Sequence, residues 1–465
     1  MTPLAAAREV ASPSPLDRAR RKAYLRLVPI CFASYVIAFV DRANVAIAKL
    51  TMTKELAGFD NAVFGLGAGV FFLGYFLLEI PGTLLVEKWS ARRWIARIMI
   101  TWGVMAALTA TVRTPLEFYL VRFLLGLAEA GFFPGVIVYF THWFPSRDRA
   151  RALALFFVAT PVAQLVSPKI SNLLLRIGTD EVVAGTLVHH PRLLGLAGWQ
   201  WVYVAWGVPA VAMGFLVLLF LTDRPGEARW LLPDERAALG AELERERTAG
   251  LAERRMSVGA ALGHPKVLVL ALVYFLSITG SYGVEFFLPS ILERWYSLDY
   301  GTLTSLILLP PVLGLAGQLL VGWSSDRRRE RRMHTVVPMA VSALAILVAT
   351  PTRGHLALTV LCFTVAYAGF KAYLPAFWAL PSLFLTDAGA AGSIGLINSI
   401  GNLGGFLGPW VIGGVEALTG SFEGGLFFLA VSMALASFTV FRLGIGRERA
   451  PAVSTKGERG DRGAT

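Results

Sequence analysis

The sequence predicts an all-α polytopic membrane protein: twelve transmembrane helices in two pseudo-symmetric six-helix bundles. Three observations carry this. The chain has 465 residues, 55% of them hydrophobic, and a mean hydropathy of +0.60, too apolar for a soluble enzyme. Its apolar stretches recur at membrane-crossing length, with basic loops on alternate sides. A polar segment near the middle divides the stretches into two sets of six, and a charged turn from the first set is echoed in the second.

The elements follow in order. Residues 1–23, rich in Pro, Ser, Ala and Arg, read as a disordered basic tail. The N-terminal bundle, 24–222, holds spans near 24–50, 62–86, 94–112, 116–139, 149–176 and 200–222. Its first apolar run is too long for the core of a signal peptide. Residues 223–265 form a charged linker, and 234–247 (DERAALGAELERER) read as an exposed amphipathic helix facing solvent. The C-terminal bundle, 266–446, holds spans near 266–293, 302–323, 335–351, 355–386, 391–418 and 424–445, followed by a disordered tail at 447–465.

Basic residues crowd the exits of even-numbered spans: Lys88, Arg92, Arg93 and Arg97, then Arg147, Arg149 and Arg151, then the linker, then 327–332. Odd-numbered exits carry few, so the positive-inside rule places both termini in the cytoplasm. The turn near Asp387, with no basic residue, is the exception. The +12 charge is explained by these loops, and no nucleic-acid partner is expected. Cys31 and Cys362 lie in apolar stretches and imply neither a disulfide framework nor a metal site. No cofactor is expected.

Charges inside spans identify the functional region, because an ionisable group in hydrocarbon usually lies on a water-filled path or in a binding site. Asp41 and Arg42 sit in 35–50 (YVIAFVDRANVAIAKL), and Arg122 and Glu129 in 120–131 (LVRFLLGLAEAG). Arg122 and Glu129 are seven residues apart, so they share a helix face roughly 10 Å apart along the axis. Counting from span ends puts Asp41 and Arg122 at one level, about 25 Å above the cytoplasmic surface. Glu129, Tyr75, Gln164, Lys371 and Asn402 fall at roughly 15–22 Å. These polar residues are expected to form one central layer.

Arg42 is permanently charged and suited to hold a carboxylate by its planar fork. Asp41 and Glu129, partly desolvated, are expected to carry protons, with Arg122 able to pair with either acid. A structural ion-pair network that only locks helices is the competing reading. Lys371 lies too deep to reach the interface easily and is expected in the cavity. Lys169 is nearer the surface, and Glu285 is expected either to neutralise a lysine or to form an outer gate. Extra cations favour a substrate with more than one negative charge. Tyr75, Tyr282 and Trp378 offer hydroxyl or indole donors, although packing is the commoner role of membrane aromatics. Asn398 and Asn402 share a face and can bond substrate or bridge helices. Glu79, before Pro81, suggests a gate or structural pairing.

The echoed turns, 87–93 (EKWSARR) and 322–332 (GWSSDRRRERR), resemble the Gly-x-x-x-Asp-Arg-x-Gly-Arg-Arg signature of the major facilitator superfamily. The second keeps Gly322, Asp326 and Arg327, with Arg329 where glycine is usual. The first has Glu87 and Lys88 for Asp-Arg and Ser90 for glycine, ahead of Arg92 and Arg93. Within that superfamily the chain resembles the anion:cation symporters, especially the tartrate/phthalate permease branch. The resemblance rests on 41–45 (DRANV), 65–81, 91–101, 122–135, 222–231, 377–381 and 396–405. It implies proton coupling by the acids of the first and fourth spans and anion binding by the first-span arginine. It also implies a monomer in a bacterial inner membrane. The expected function is therefore proton-coupled uptake of a small organic anion, such as a di- or tricarboxylate. Alternatives are an exchanger or uncoupled facilitator of such anions, and a membrane-embedded anion sensor. No enzyme is expected, since neither a His-rich cluster nor a Ser/His/Asp arrangement is present.

Overall fold

The computed structural model describes residues 13–183, 186–250, 263–383 and 387–444. The N-terminal half contains α1 (Pro15–Glu55), α2 (Asn61–Lys88), α3 (Ala91–Leu108), α4 (Pro115–Glu129), α5 (Phe132–Thr141), α6 (Ser146–Phe157), α7 (Ala159–Leu175) and α8 (Gly198–Phe220). Helices α4 and α5 share the fourth span, and α6 and α7 the fifth. The joint contains α9 (Pro233–Gly250). The C-terminal half contains α10 (Pro265–Tyr296), α11 (Tyr300–Leu306), α12 (Leu309–Arg328), α13 (Arg332–Ala349), α14 (Leu356–Ala372), α15 (Leu374–Trp378), α16 (Asp387–Asn402), α17 (Gly404–Thr419) and α18 (Glu423–Leu443).

Among the described residues, eleven helical segments are long and apolar enough to cross a membrane. The crossing expected at 391–418 is divided at Leu403 into α16 and α17, 16 residues each, so neither reaches span length alone. Between α7 and α8 lies a small element that the sequence did not signal, an antiparallel hairpin of β1 (Asp180–Val183) and β2 (Thr186–His189).

Local chemistry sets several boundaries. Asp60, Ser90 and Thr114 each cap the helix that follows, accepting from the N–H three residues on, which satisfies one of the orphan donors of a helix start. Glu117 completes a capping box with Thr114. Gly131 breaks the fourth span directly after Glu129. Its φ of +83° is left-handed, and a side chain there would also meet the Trp94 indole. Gly65 lets α2 approach α17 across the two halves: a Cβ at that position would stand 2.3 Å from the Pro409 carbonyl oxygen.

Two expectations at the linker side are corrected. Helix α1 starts at Pro15, capped by Ser14, so part of the expected tail is helical. Its 41 residues make it about 60 Å long, roughly twice the hydrocarbon thickness. The extra length docks α9, which is not a free solvated helix. Lys22 Nζ reaches Glu235 Oε2 at 2.7 Å, and Arg18 reaches Asp234 at 2.6 Å and Glu235 at 3.3 Å. Glu235 is fully buried there. The donating Lys22 ammonium holds its carboxyl below the usual glutamate range, against the opposing effect of burial. Residues 1–12, 251–262 and 445–465, which include most of both expected tails, lie outside the described residues.

Candidate functional site

A cavity of about 2430 Å³ lies between the halves. It reaches the linker, where 224–227 and α9 residues including Leu243 and Glu244 line it. The opposite end is closed by bonds between the halves. Lys54 of α1 meets Glu293 of α10 at 2.7 Å. Glu416 of α17 accepts from Asn61 of α2 and pairs with Arg294 of α10. Beneath them Lys49 is buried, its Nζ 3.7 Å from the Phe287 ring centroid and without a hydrogen-bond partner. Sequence reasoning missed this closure. The only signal was Glu416 standing alone in an apolar run, 407–418 (LGPWVIGGVEAL).

The four charges singled out in the first and fourth spans are re-sorted. Arg42, not Arg122, pairs with Glu129. Its Nε and Nη2 donate to one oxygen, Oε1, at 2.8 and 2.5 Å. The other oxygen, Oε2, is buried without a partner. Both residues line the cavity, and the guanidinium sits over the rings of Tyr75 and Phe71. Asp41 follows the helix about 100° away from Arg42 and is buried behind the cavity wall, where Trp102 donates to its Oδ2 at 3.2 Å. Arg122 is buried there too. Its Nε donates to the Gly67 carbonyl at 3.4 Å, its Nη1 and Nη2 have no hydrogen-bond partner, and its guanidinium lies over Phe71. Of the two acids expected as partners of Arg122, Glu129 is held by Arg42 instead, because the break after it leaves that carboxylate in the cavity wall, while Asp41 remains the acid beside Arg122.

The C-terminal half contributes a second cation–acid pair. Lys371, in the last turn of α14, donates to Glu285 of α10 at 2.7 Å, and both line the cavity. Of the two expected roles of Glu285, neutralising a lysine is the one observed. Tyr75, Gln164, Tyr282, Trp378, Asn398 and Asn402 also line the cavity. Asn398 and Ser399 donate to Glu79 at 2.6 and 3.0 Å, joining α16 to α2. Lys169 is exposed and does not line the cavity. Five residues past Gln164 on a helix is a turn of roughly 140°, which points it away from the cavity.

The family model of the Major Facilitator Superfamily matches residues 31–409. The chain belongs to that superfamily. It is 40% identical to a candidate tartrate transporter of Agrobacterium vitis over 94% of each chain. It is 38% identical to a quinolone resistance transporter of Acinetobacter baumannii, over 89% of this chain and 92% of that one. Among solved structures, the inward-open xylose transporter XylE of E. coli superposes with a TM-score of 0.69 at 15% identity, over 92% of this chain and 98% of that one. The protein is thus a multi-pass transporter and not an enzyme.

Among the described residues, the first superfamily turn is tied to the start of the linker and the second to its own half. After α2, Ser90 Oγ donates to Asp223 Oδ2 at 2.5 Å, and the Arg92 amide to Oδ1 at 2.9 Å. Arg93 is exposed. At the end of α12, Asp326 pairs with Arg331, and Arg327 lies over Trp323, next in sequence to Gly322. The side chains of Glu87 and Lys88 lie outside the described residues. Among the described residues neither turn bonds to the other half, in agreement with a cavity that reaches the linker.

Proposed function

We propose that the protein is a proton-coupled symporter that takes up a small organic anion carrying more than one carboxylate, of the tartrate or phthalate type. The observation that carries this reading is the Arg42–Glu129 pair in the cavity wall. Glu129 occupies the place a substrate carboxylate would take on the guanidinium fork. A proton on Glu129 neutralises it and frees Arg42 for the substrate carboxylate. Departure of substrate and proton restores the pair. Proton and anion are thus carried together, because each alone leaves a buried charge without its partner, at a cost of several kcal/mol. The closed far end and the cavity at the linker describe the state in which the load leaves.

The buried Asp41 and Arg122 are assigned to the same proton cycle, behind the cavity. Their unpartnered atoms favour a second arrangement in the other state of the cycle. Lys371 would hold the second carboxylate, with Tyr75, Gln164, Tyr282, Trp378, Asn398 and Asn402 supplying donors and walls. The basic loops favour cytoplasmic termini, and the bacterial relatives favour an inner membrane. A monomer suffices, since one chain supplies both cavity walls.

Purified protein in proteoliposomes tests this with tartrate, phthalate, tricarballylate and citrate, with and without an inward proton gradient. Gradient-dependent accumulation of one such acid, lost in Arg42→Ala, is expected. Equal uptake without a gradient would replace symport by facilitation or exchange.

A further inference from the structure

We propose that Glu285 is a second proton-carrying acid and that the Lys371–Glu285 pair is a second carboxylate half-site, so that each dicarboxylate travels with two protons. This rests on the symport reading above and extends it to a residue with no part in it.

The two halves present the same device to one cavity. In the N-terminal half a permanent cation, Arg42, is held by Glu129. In the C-terminal half Lys371 is held by Glu285 at 2.7 Å. Both pairs are mostly buried: side-chain exposure is 19% and 3% in the first, 23% and 15% in the second. Both lie near a helix break, Glu129 two residues before Gly131 and Lys371 two before Tyr373. The Lys371 ammonium also lies 4.9 Å from the Tyr367 ring centroid, as Arg42 lies over Tyr75.

The charge arithmetic follows. With both acids ionised, Arg42 and Lys371 are already neutralised. A dianion entering such a cavity would bring two uncompensated charges into a partly desolvated site, which is costly. Protonation of Glu129 alone frees one cation and matches a monoanion. Protonation of Glu285 as well frees Lys371 and matches the dianion. The groups facing Glu285 are Lys371 and the Tyr367 hydroxyl from α14, the Tyr373 hydroxyl just after it, and Tyr282 on α10 itself. Among the described residues its ion pair is with Lys371. The proton goes to the Glu285 carboxylate, the ammonium stays charged, and no covalent bond in the substrate changes.

A dianion with two protons moves no net charge. In Glu285→Gln it would travel with one proton and carry a net negative charge inward. Its accumulation should then fall on the order of 50-fold per 100 mV of interior-negative potential, whereas the wild type is indifferent to potential. The test uses tartrate in proteoliposomes, with potassium diffusion potentials at fixed proton gradient. A second measurement does not need turnover: protons taken up per tartrate bound in detergent, read with a pH dye near neutral pH. Two are expected for the wild type and one for Glu285→Gln. Potential-sensitive uptake by the wild type, or an unchanged proton count in the variant, would overturn the second site. Glu129→Gln in the same assays separates the two readings. If it accumulates tartrate to the wild-type level and takes up as many protons per tartrate bound, the symport reading itself fails. If its proton count falls while Glu285→Gln behaves as wild type, only the second site fails. Absence of tartrate binding by the wild type would overturn the tartrate-type reading on which both rest.

Discussion

Removing one partner of the Arg42–Glu129 pair should hurt very differently from removing the other. Glu129 is 3% exposed and its Oε2 already lacks a partner, whereas Arg42 is 19% exposed at the cavity wall. Arg42→Ala strands a buried carboxylate, a loss of about 3–5 kcal/mol. Glu129→Gln leaves a guanidinium that is partly exposed to the cavity and lies over the rings of Tyr75 and Phe71, for a loss of about 1–2 kcal/mol. The double variant removes both charges and should recover about 2 kcal/mol relative to Arg42→Ala. Thermal unfolding of the purified proteins in one detergent at neutral pH reads the order: wild type, then Glu129→Gln, then the double variant, with Arg42→Ala lowest. A double variant no more stable than Arg42→Ala would refute the reasoning, because no stranded carboxylate would then have been relieved. So would a Glu129→Gln protein that melts below Arg42→Ala.

Further outcomes follow from the same geometry. Glu416→Gln removes the charge that Arg294 pairs with and one of the two oxygens that accept from Asn61 and Arg294 at the closed end. Losing charge-assisted bonds worth about 1.5–3 kcal/mol should shift the population toward opening there. A cysteine at the buried Ala46, in a protein with Cys31 and Cys362 replaced by serine, should then react roughly tenfold or more faster with an impermeant maleimide. An unchanged rate would remove Glu416 from the closure. At the linker, the Glu235 carboxyl is held below its ordinary range by Lys22. Its contribution to docking α9 is therefore whole above the ordinary glutamate value of 4.5 and is lost as pH falls through the lowered one. Limited proteolysis between α9 and α10 should accelerate over that acid range in the wild type. In Glu235→Gln it should be fast at neutral pH already.

The fold was legible because hydropathy and loop charge are local properties. Each span needs only its own twenty or so residues to be recognised, and the polar joint near Asp223 marks the boundary between halves. The members of the site were legible for a similar reason: Arg42, Glu129, Lys371 and Glu285 are conspicuous wherever an apolar run surrounds them. Their partners were not. Arg122 and Glu129 share a helix face by spacing, yet Glu129 meets Arg42 from another helix. Lys169 needed the rotation of α7, which Gln164 fixes only once its own side is known. The closure of Lys54, Asn61, Glu293, Arg294 and Glu416 joins residues hundreds of positions apart, each individually ordinary at a span end. The docking of α9 was hidden because Glu235 in a charged run looks solvated until Lys22 and Arg18 are seen against it.

The central claim is that Glu129 exchanges a proton for its hold on Arg42 each time an anion binds. The most direct test compares the wild type with Glu129→Gln in proteoliposomes loaded with a transported dicarboxylate. Two rates are read: accumulation driven by an inward proton gradient, and exchange of labelled for unlabelled substrate with no gradient. The account predicts that Glu129→Gln keeps the second, falls well below the wild type in the first, and alkalinises the external medium less per substrate, since Glu285 still carries its own proton. Proton-driven accumulation that survives in Glu129→Gln at the wild-type level would contradict it.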